Sequence, residues 1–181
     1  MFTFQKFVID HYKVQLVMPE NSHAAELFRI INQDRETLSR WMPWTPNIKT
    51  VENEAQFLNY ARLKMAKQEL LMLTIPVNNT PVGMIDLHNI DRKNKRAELG
   101  YWLSSNYQGL GIISSSVNLV LNYAFEKLNF HKIILQSDSE NGKSIAVAHR
   151  LNFTLEAILK DQITYNDDFK DLNIFVKFQP K

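Results

Sequence analysis

The stretch RAELGYWLSSNYQGLGII, from Arg96 to Ile113, limits what this chain can fold into more than any other segment. An alternating, strand-like run leads into a glycine turn, and the turn opens directly into a long amphipathic helix. The first amides of a helix lack intrahelical acceptors. A strand, a glycine turn and a helix start in this order therefore make a cradle for an anion such as phosphate.

With 181 residues, 45% of them hydrophobic, the chain can build one continuous core, and a single domain over residues 1–181 is expected. The absence of cysteine excludes a disulfide scaffold, a Cys-based metal centre and thiol catalysis. The histidines His11, His23, His88, His131 and His149 are dispersed without zinc-site spacing, so no metal site is expected. No apolar run reaches the roughly 18 residues of a bilayer span, and the opening MFTFQKFVIDHYKVQL lacks the pattern of a secretory signal. The expectation is a cytoplasmic protein with no membrane partner. A net charge of +2 gives no general argument for direct nucleic-acid binding. The basic cluster Arg92, Lys93, Lys95 and Arg96 reads either as a solvated loop or as a neighbour of a polyanionic cofactor or acidic substrate.

Apolar spacing over residues 7–18 predicts an opening strand or short hairpin, with His11 near its turn and Pro19, Asn21 or Ser22 marking a turn and helix cap. Helices are predicted over His23–Ile31 and Asp34–Arg40, the second starting at an Asp34 cap, and Pro43 and Pro46 then break the helix. A third helix is predicted from Val51 to Ala66. Ala55, Leu58, Ala61, Arg62 and Met65 lie on its inner face, and Glu52, Asn53 and Glu54 serve its first turn. Strands are predicted over residues 70–77, 82–87, 96–103, 132–136 and 153–163, the last interrupted near Lys160 and Asp161, and a final strand alternates Leu172, Ile174, Val176 and Phe178. Between them lie a long helix from about Gly111, burying Ile113, Val117, Val120, Leu121, Ala124, Phe125 and Leu128, and a short helix with Ile145, Ala146, Ala148 and Leu151 inward. The strand, long helix and strand in the middle form one right-handed crossover. The phosphate cradle is neither a GxxxxGK P-loop nor a GxGxxG dinucleotide turn.

Ala97-Glu98-Leu99-Gly100-Tyr101-Trp102-Leu103, Gln108-Gly109-Leu110-Gly111-Ile112, Tyr123-Ala124-Phe125, Asn141 with Ser144, and Asn152-Phe153 with Glu156 resemble the GNAT superfamily of acetyl-CoA-dependent N-acetyltransferases. Within it the chain is most similar to the ribosomal-protein-serine and ribosomal-protein-alanine N-terminal acetyltransferases, a likeness that extends to Leu38–Trp44 and Asp168–Phe175. The resemblance implies an α/β fold of the GNAT acyl-CoA N-acyltransferase type, a mixed central sheet with helices on both faces. It implies acetyl-CoA as a substrate and a primary amine as acceptor, with a ribosomal or other protein N terminus leading. A small amine or antibiotic is the alternative acceptor, and an acyl-CoA-binding module without turnover is a third reading.

By resemblance, Gln108, Gly109, Leu110, Gly111, Ile112 and Ile113 hold the pyrophosphate, with Ile113 where the family usually has Gly or Ala. The strand amides around Leu99, Tyr101 and Leu103 bind the pantetheine arm and polarise the acetyl carbonyl. Glu98 corresponds to the family's base, and a carboxylate partly buried between aromatic residues suits that work. Its bland alternative is a surface pair with Arg96 or Lys95. Asn141 reaches the pantetheine, and Ser144 protonates the leaving thiolate; as ordinary residues both also suit a helix cap. Trp41, Trp44, Glu98 and the loop around Asp168 form the acceptor cleft, where Phe169 keeps a ring but lacks the family's tyrosine hydroxyl. A homo-oligomer could add a wall to that cleft.

Overall fold

A computed structural model describes residues 2–180. Among the described residues, eight strands form one mixed sheet in the order β1-β2-β3-β4-β5-β6-β8-β7, flanked by helices. Contacts divide the chain into two compact units, one made of the chain up to Asp86 with Tyr101–Ser116 and the other of Leu87–Gly100 with the chain from Val117 on.

In the first unit, β1 (Thr3–Ile9) and β2 (Tyr12–Val17) form the expected hairpin, paired antiparallel as far as Ile9 and Tyr12. Asp10 turns the chain at φ 52°, a conformation its short polar side chain tolerates. β2 continues antiparallel into β3 (Leu71–Val77), which is buried along almost its whole length. Asn78 and Asn79, at φ 49° and 70°, make the two-residue turn into β4 (Thr80–Asp91), the backbone pattern that matches the right-handed twist of paired strands.

The helices of this unit are α1 (Ala24–Gln33), α2 (Arg35–Trp41) and α3 (Val51–Ala66). The cap before α1 differs from expectation: Glu20 and His23 form a reciprocal capping box, and Asn21 and Ser22 lie inside the short 3-10 turn it starts. His23 is buried, its Nδ1 within 3.2 Å of both the Glu20 amide and Thr74 Oγ1. Loss of hydration lowers its pKa. α3 has the predicted bounds, because Thr50 accepts from the Asn53 amide and stops the chain from extending backward. Its inner face is a correction: Glu54, Leu58 and Ala61 are the buried positions, and Arg62 is exposed.

In the second unit, the first half of β5 (Arg96–Leu103) pairs in parallel with β6 (Lys132–Asp138), as a crossover requires. β6 pairs along its full length with β8 (Asp168–Phe178), and β8 pairs with the edge strand β7 (Thr154–Tyr165). β7 is irregular between Leu159 and Ile163, where Asp161 takes φ 50°, as the sequence indicated.

α4 (Ile112–Glu126) presents a stripe one residue out of phase at its start. Ile112 is fully buried and Ile113 only half-buried, because the helix begins at Ile112 rather than within the glycine turn; Leu128, past the helix end, is half-buried too. In α5 (Gly142–Arg150) Ala148 faces inward but Ala146 is exposed, which the short apolar pattern did not separate. Asn152 at φ 55° ends α5 in a left-handed cap, with Phe153 donating to Ala148.

Candidate active site

Beyond Leu103 the chain makes a 3-10 turn at Ser105–Tyr107, and the Gln108 side chain reaches back to donate to the Leu103 carbonyl at 2.9 Å. Gly109 and Gly111 then take φ +80° and +81°, a region closed to most side chains, and nothing lies within 4 Å of where either Cβ would be. The first helical hydrogen bond of α4 runs from Ser115 to Gly111, so the Ile112 and Ile113 amides precede it. Successive amides in such a turn form an anion-binding concavity, and the helix dipole adds favourable charge over the first turn. The stretch from Gly109 to Ile113 thus combines an open left-handed turn with amides ahead of the first helical hydrogen bond, the chemistry that suits a phosphate.

A close backbone approach supports the strand that delivers this turn. A Cβ on Gly83 would strike the Trp102 carbonyl oxygen and lie 2.9 Å from Leu103 Cα, and the Ser104 amide donates to Val82. Trp44 meets Trp102 at 6.0 Å between ring centroids, while Trp41 lies under the Arg40 guanidinium at 4.6 Å. Of the two tryptophans assigned to the acceptor wall, Trp44 therefore joins the end of β5 and Trp41 stacks locally. Asp34 occupies the cap position of α2 but does not cap it: its oxygens take the Ser105 N–H and Oγ–H, each at 2.7 Å.

In the second unit Glu98 pairs with neither Arg96 nor Lys95. Gln136 donates to Glu98 Oε2 at 3.1 Å, and His88 Nε2 lies 3.5 Å from the same oxygen, while Arg96 turns to Asp91. The Glu98 side chain stays 22% exposed, open to a partner from solvent. The parallel ladder between β5 and β6 comprises Arg96↔Lys132, Ala97↔Ile133 and Glu98↔Ile134, although β5 runs on to Leu103. The backbone of Leu99, Tyr101 and Leu103 follows directly on the last of these pairs. His88 and Gln136 were missed in the sequence. Their signal was a polar residue on each of two neighbouring apolar strands, a pattern that gains meaning only once the register is known.

Asn141 caps α5, its Oδ1 accepting from the Ser144 amide at 3.1 Å, so the structural role considered for it is present. Ser144, half-buried, sits in the first turn of that helix. Asp168 and Phe169 lie at the β7–β8 turn, where Asn166 and Asp167 take positive φ; Asp168 is exposed and Phe169 is 67% exposed. Behind them Lys170 pairs with Glu140 at 3.0 Å, a contact that raises the pKa of the ammonium.

Glu54, expected among the polar groups of the first turn of α3, is instead buried. It is 1% exposed, its Oε1 has no hydrogen-bond partner, and burial pushes the carboxyl up to about 7. The detectable signal was its place at i, i+4 and i+7 with Leu58 and Ala61. Among the described residues, no group of three or more His, Asp or Glu side chains could hold a metal ion, and no helix is long and apolar enough to cross a membrane.

Comparison with known proteins agrees with this geometry. Residues 13–154 match the family model described as an acetyltransferase (GNAT) domain. YdaF of Bacillus subtilis (strain 168), provisionally named a ribosomal N-acetyltransferase, is 30% identical over 178 residues, covering 95% of this chain and 92% of the relative. The ribosomal-protein-serine acetyltransferase of Escherichia coli (strain K12) is 25% identical over 86% of this chain and 87% of its own length. The crystal structure of the microcin C7 self-immunity acetyltransferase MccE, solved with acetyl-CoA and AMP, superposes with a TM-score of 0.85 at 29% identity, covering 91% of this chain and 92% of MccE. A family match over most of the chain and likeness along nearly its whole length lead to one conclusion: the chain belongs to the GNAT acetyltransferase family.

Proposed function

We propose that residues 1–181 act as one catalytic domain that transfers an acetyl group from acetyl-CoA to a primary amine, with the N terminus of a ribosomal or other protein as the leading acceptor. The observation that carries this reading is the Gly109–Gly111 turn, left-handed and open at both Cα atoms, at the start of α4. It supplies room and amides for the coenzyme pyrophosphate, with Gln108, Leu110, Ile112 and Ile113 completing the loop.

Glu98 is the proposed base, with Gln136 and His88 fixing its carboxylate. It accepts the proton that the amine sheds as nitrogen bonds to the acetyl carbon, directly or through a water. The amides of Leu99, Tyr101 and Leu103 follow the end of the β5–β6 ladder and are proposed to hold the pantetheine arm and the carbonyl oxygen. Ser144 donates its hydroxyl proton to the departing coenzyme thiolate as the carbon–sulfur bond breaks, and Asn141 keeps that serine at the head of α5. Trp41, Trp44 and Asp168 are assigned to acceptor recognition.

The ribosomal acceptor is favoured because two relatives that span most of this chain carry ribosomal names. The likeness to MccE, an immunity acetyltransferase, favours a small amine or antibiotic as the second reading. The test is transfer of labelled acetyl from acetyl-CoA to serine- and alanine-starting ribosomal peptides, polyamines and aminoglycosides, with Glu98→Gln alongside. Selective peptide labelling that the variant loses while still binding coenzyme A supports the reading. A small amine preferred over every peptide removes the ribosomal assignment, and a fully active variant removes Glu98 as base.

A further inference from the structure

The segment between β5 and the glycine turn is held mostly by bonds to its own neighbours. Tyr107 donates to Ser104, Gln108 to Ser105, and the Gln108 side chain to Leu103, while the Ser104 amide reaches Val82 on β4. Two ties reach farther back along the chain. The Tyr107 ring meets Tyr12 edge-on at 6.0 Å, and Asp34 takes both donors of Ser105, 71 residues away.

The second tie is unusual in what it forgoes. Asp34 stands where α1 ends and α2 begins, at φ −98° and ψ 15°, and its own backbone amide donates to Ile30. A carboxylate at that position ordinarily accepts from the first amides of the following helix. Here the side chain turns away from α2, and the 3-10 turn at Ser105–Tyr107, which has no side-chain cap of its own, receives it instead. The two bonds are short and charge-assisted, and Asp34 is 8% exposed, so solvent competes little for them. One carboxylate satisfies the leading amide of the turn and fixes the rotamer of its serine.

We propose that Asp34 is a positioning residue for the phosphate turn: gripping Ser105 from the α1–α2 junction, it holds Gln108–Gly111 in the shape that receives the coenzyme phosphates. The inference rests on the reading given under Proposed function. Gly109 and Gly111 have the widest backbone freedom of any residue type, so an unbraced turn would have to be ordered by the ligand itself at a cost in affinity. The brace acts before the ligand arrives. Because α2 starts at the residue after Asp34 and ends at Trp41, the same carboxylate also joins the phosphate turn to the helix that ends in one of the residues assigned to acceptor recognition.

The experiment measures coenzyme A affinity by calorimetry and steady-state kinetics on the full chain for wild type, Asp34→Asn, Ser105→Ala and the double variant. Asparagine keeps the shape but presents a donor where Ser105 already donates. The expected result is a rise of about tenfold in both the coenzyme A Kd and the acetyl-CoA KM for Asp34→Asn, the loss of one charge-assisted bond, with kcat and the amine KM changed less than about threefold. Ser105→Ala keeps the amide bond and loses less, and the double variant is no worse than Asp34→Asn alone, because the residues act as one unit. Should Asp34→Asn fold poorly, Ser105→Ala and hydrogen exchange at the Ser105–Gly111 amides still read the brace. Wild-type affinity in Asp34→Asn, or losses that add in the double variant, overturns the proposal and leaves the proposed function intact. A wild-type chain that binds no coenzyme A overturns both.

Discussion

Gly83 and the pair Gly109 and Gly111 lie in the same compact unit, and each position needs glycine for an opposite reason. At Gly83 the backbone is ordinary but the space is gone, since β4 presses on the Trp102–Leu103 backbone. At Gly109 and Gly111 the space is empty but the backbone lies at φ +80° and +81°. A packed glycine serves cohesion. An open glycine at positive φ serves the shape of the turn, which presents the amides at the head of α4. Substitutions should separate the two: at Gly83 binding falls because the fold falls, and at the turn binding falls while the fold persists.

The largest effect is expected at Gly83→Ala. The methyl group meets backbone atoms of the neighbouring strand rather than a side chain that can swing aside, so the strands must part at the segment that precedes the turn. A loss of about 3 kcal/mol or more in chemical denaturation is expected, with coenzyme A binding lost in proportion to the unfolded fraction. A variant of wild-type stability with weakened binding would place Gly83 with the site and break the comparison.

Stability must be compared at a defined pH, because Glu54 makes it drift. Its carboxyl is raised from an ordinary 4.5 to about 7 by burial. Below the lower value both folded and unfolded chains hold the proton and Glu54 contributes no pH dependence. As pH rises toward about 7 the unfolded chain releases its proton first, so folding stability falls; above that it is level. Glu54→Gln lacks this proton. Its stability relative to wild type should therefore climb by about 3 kcal/mol between pH 4.5 and pH 8, with the His23 contribution cancelling because both proteins share it. A difference that stays flat across that range would mean Glu54 has solvent or a donor within reach.

Glu54 and Asp34 also show where reading from sequence ends. The bounds of α3 and the glycine turn were legible because each is set by residues within a few positions of one another: Thr50 with Asn53, Gly109 with Gly111. Local rules then placed Glu54 with the polar first turn and Asp34 at a helix cap. Both are polar by type, and what distinguishes them is tertiary: α3 turns Glu54 inward with Leu58 and Ala61, and Ser105 arrives from 71 residues away to claim Asp34. The neighbours of Glu98 were not legible, because His88 and Gln136 reach it through strand register. Ile112 displaced Ile113 from the buried stripe because one residue of helix phase decides which face points inward.

Gly111→Ala tests the other side of the comparison. A left-handed alanine costs roughly 1–2 kcal/mol, visible as a modest shift in the denaturation midpoint, and its methyl group enters the space beside the Ile112 amide. Binding of coenzyme A should fall by more than that strain accounts for, because the group enters the cradle as well as straining it. Equal losses in stability and binding would reduce the turn to a structural feature.

The smallest effect on stability, and the sharpest test, is expected at Gly109→Asn. This chain already places asparagine at positive φ at Asn78, Asn79, Asn89, Asn129, Asn152 and Asn166, so the residue is suited to a left-handed backbone. Stability should change by about 0.5 kcal/mol or less, since the side chain meets nothing within 4 Å at its Cβ and can extend into solvent. The same side chain occupies the space a phosphate would use and offers its own oxygen to the turn's amides, so coenzyme A affinity should drop about tenfold or more while the denaturation curve overlays wild type. Gly109→Ala resolves the remaining ambiguity: it adds backbone strain without a competing oxygen. If Ala weakens binding more than Asn does, conformation governs the turn; if Asn is the worse of the two, access to the turn's amides governs it, and the contrast with Gly83 holds.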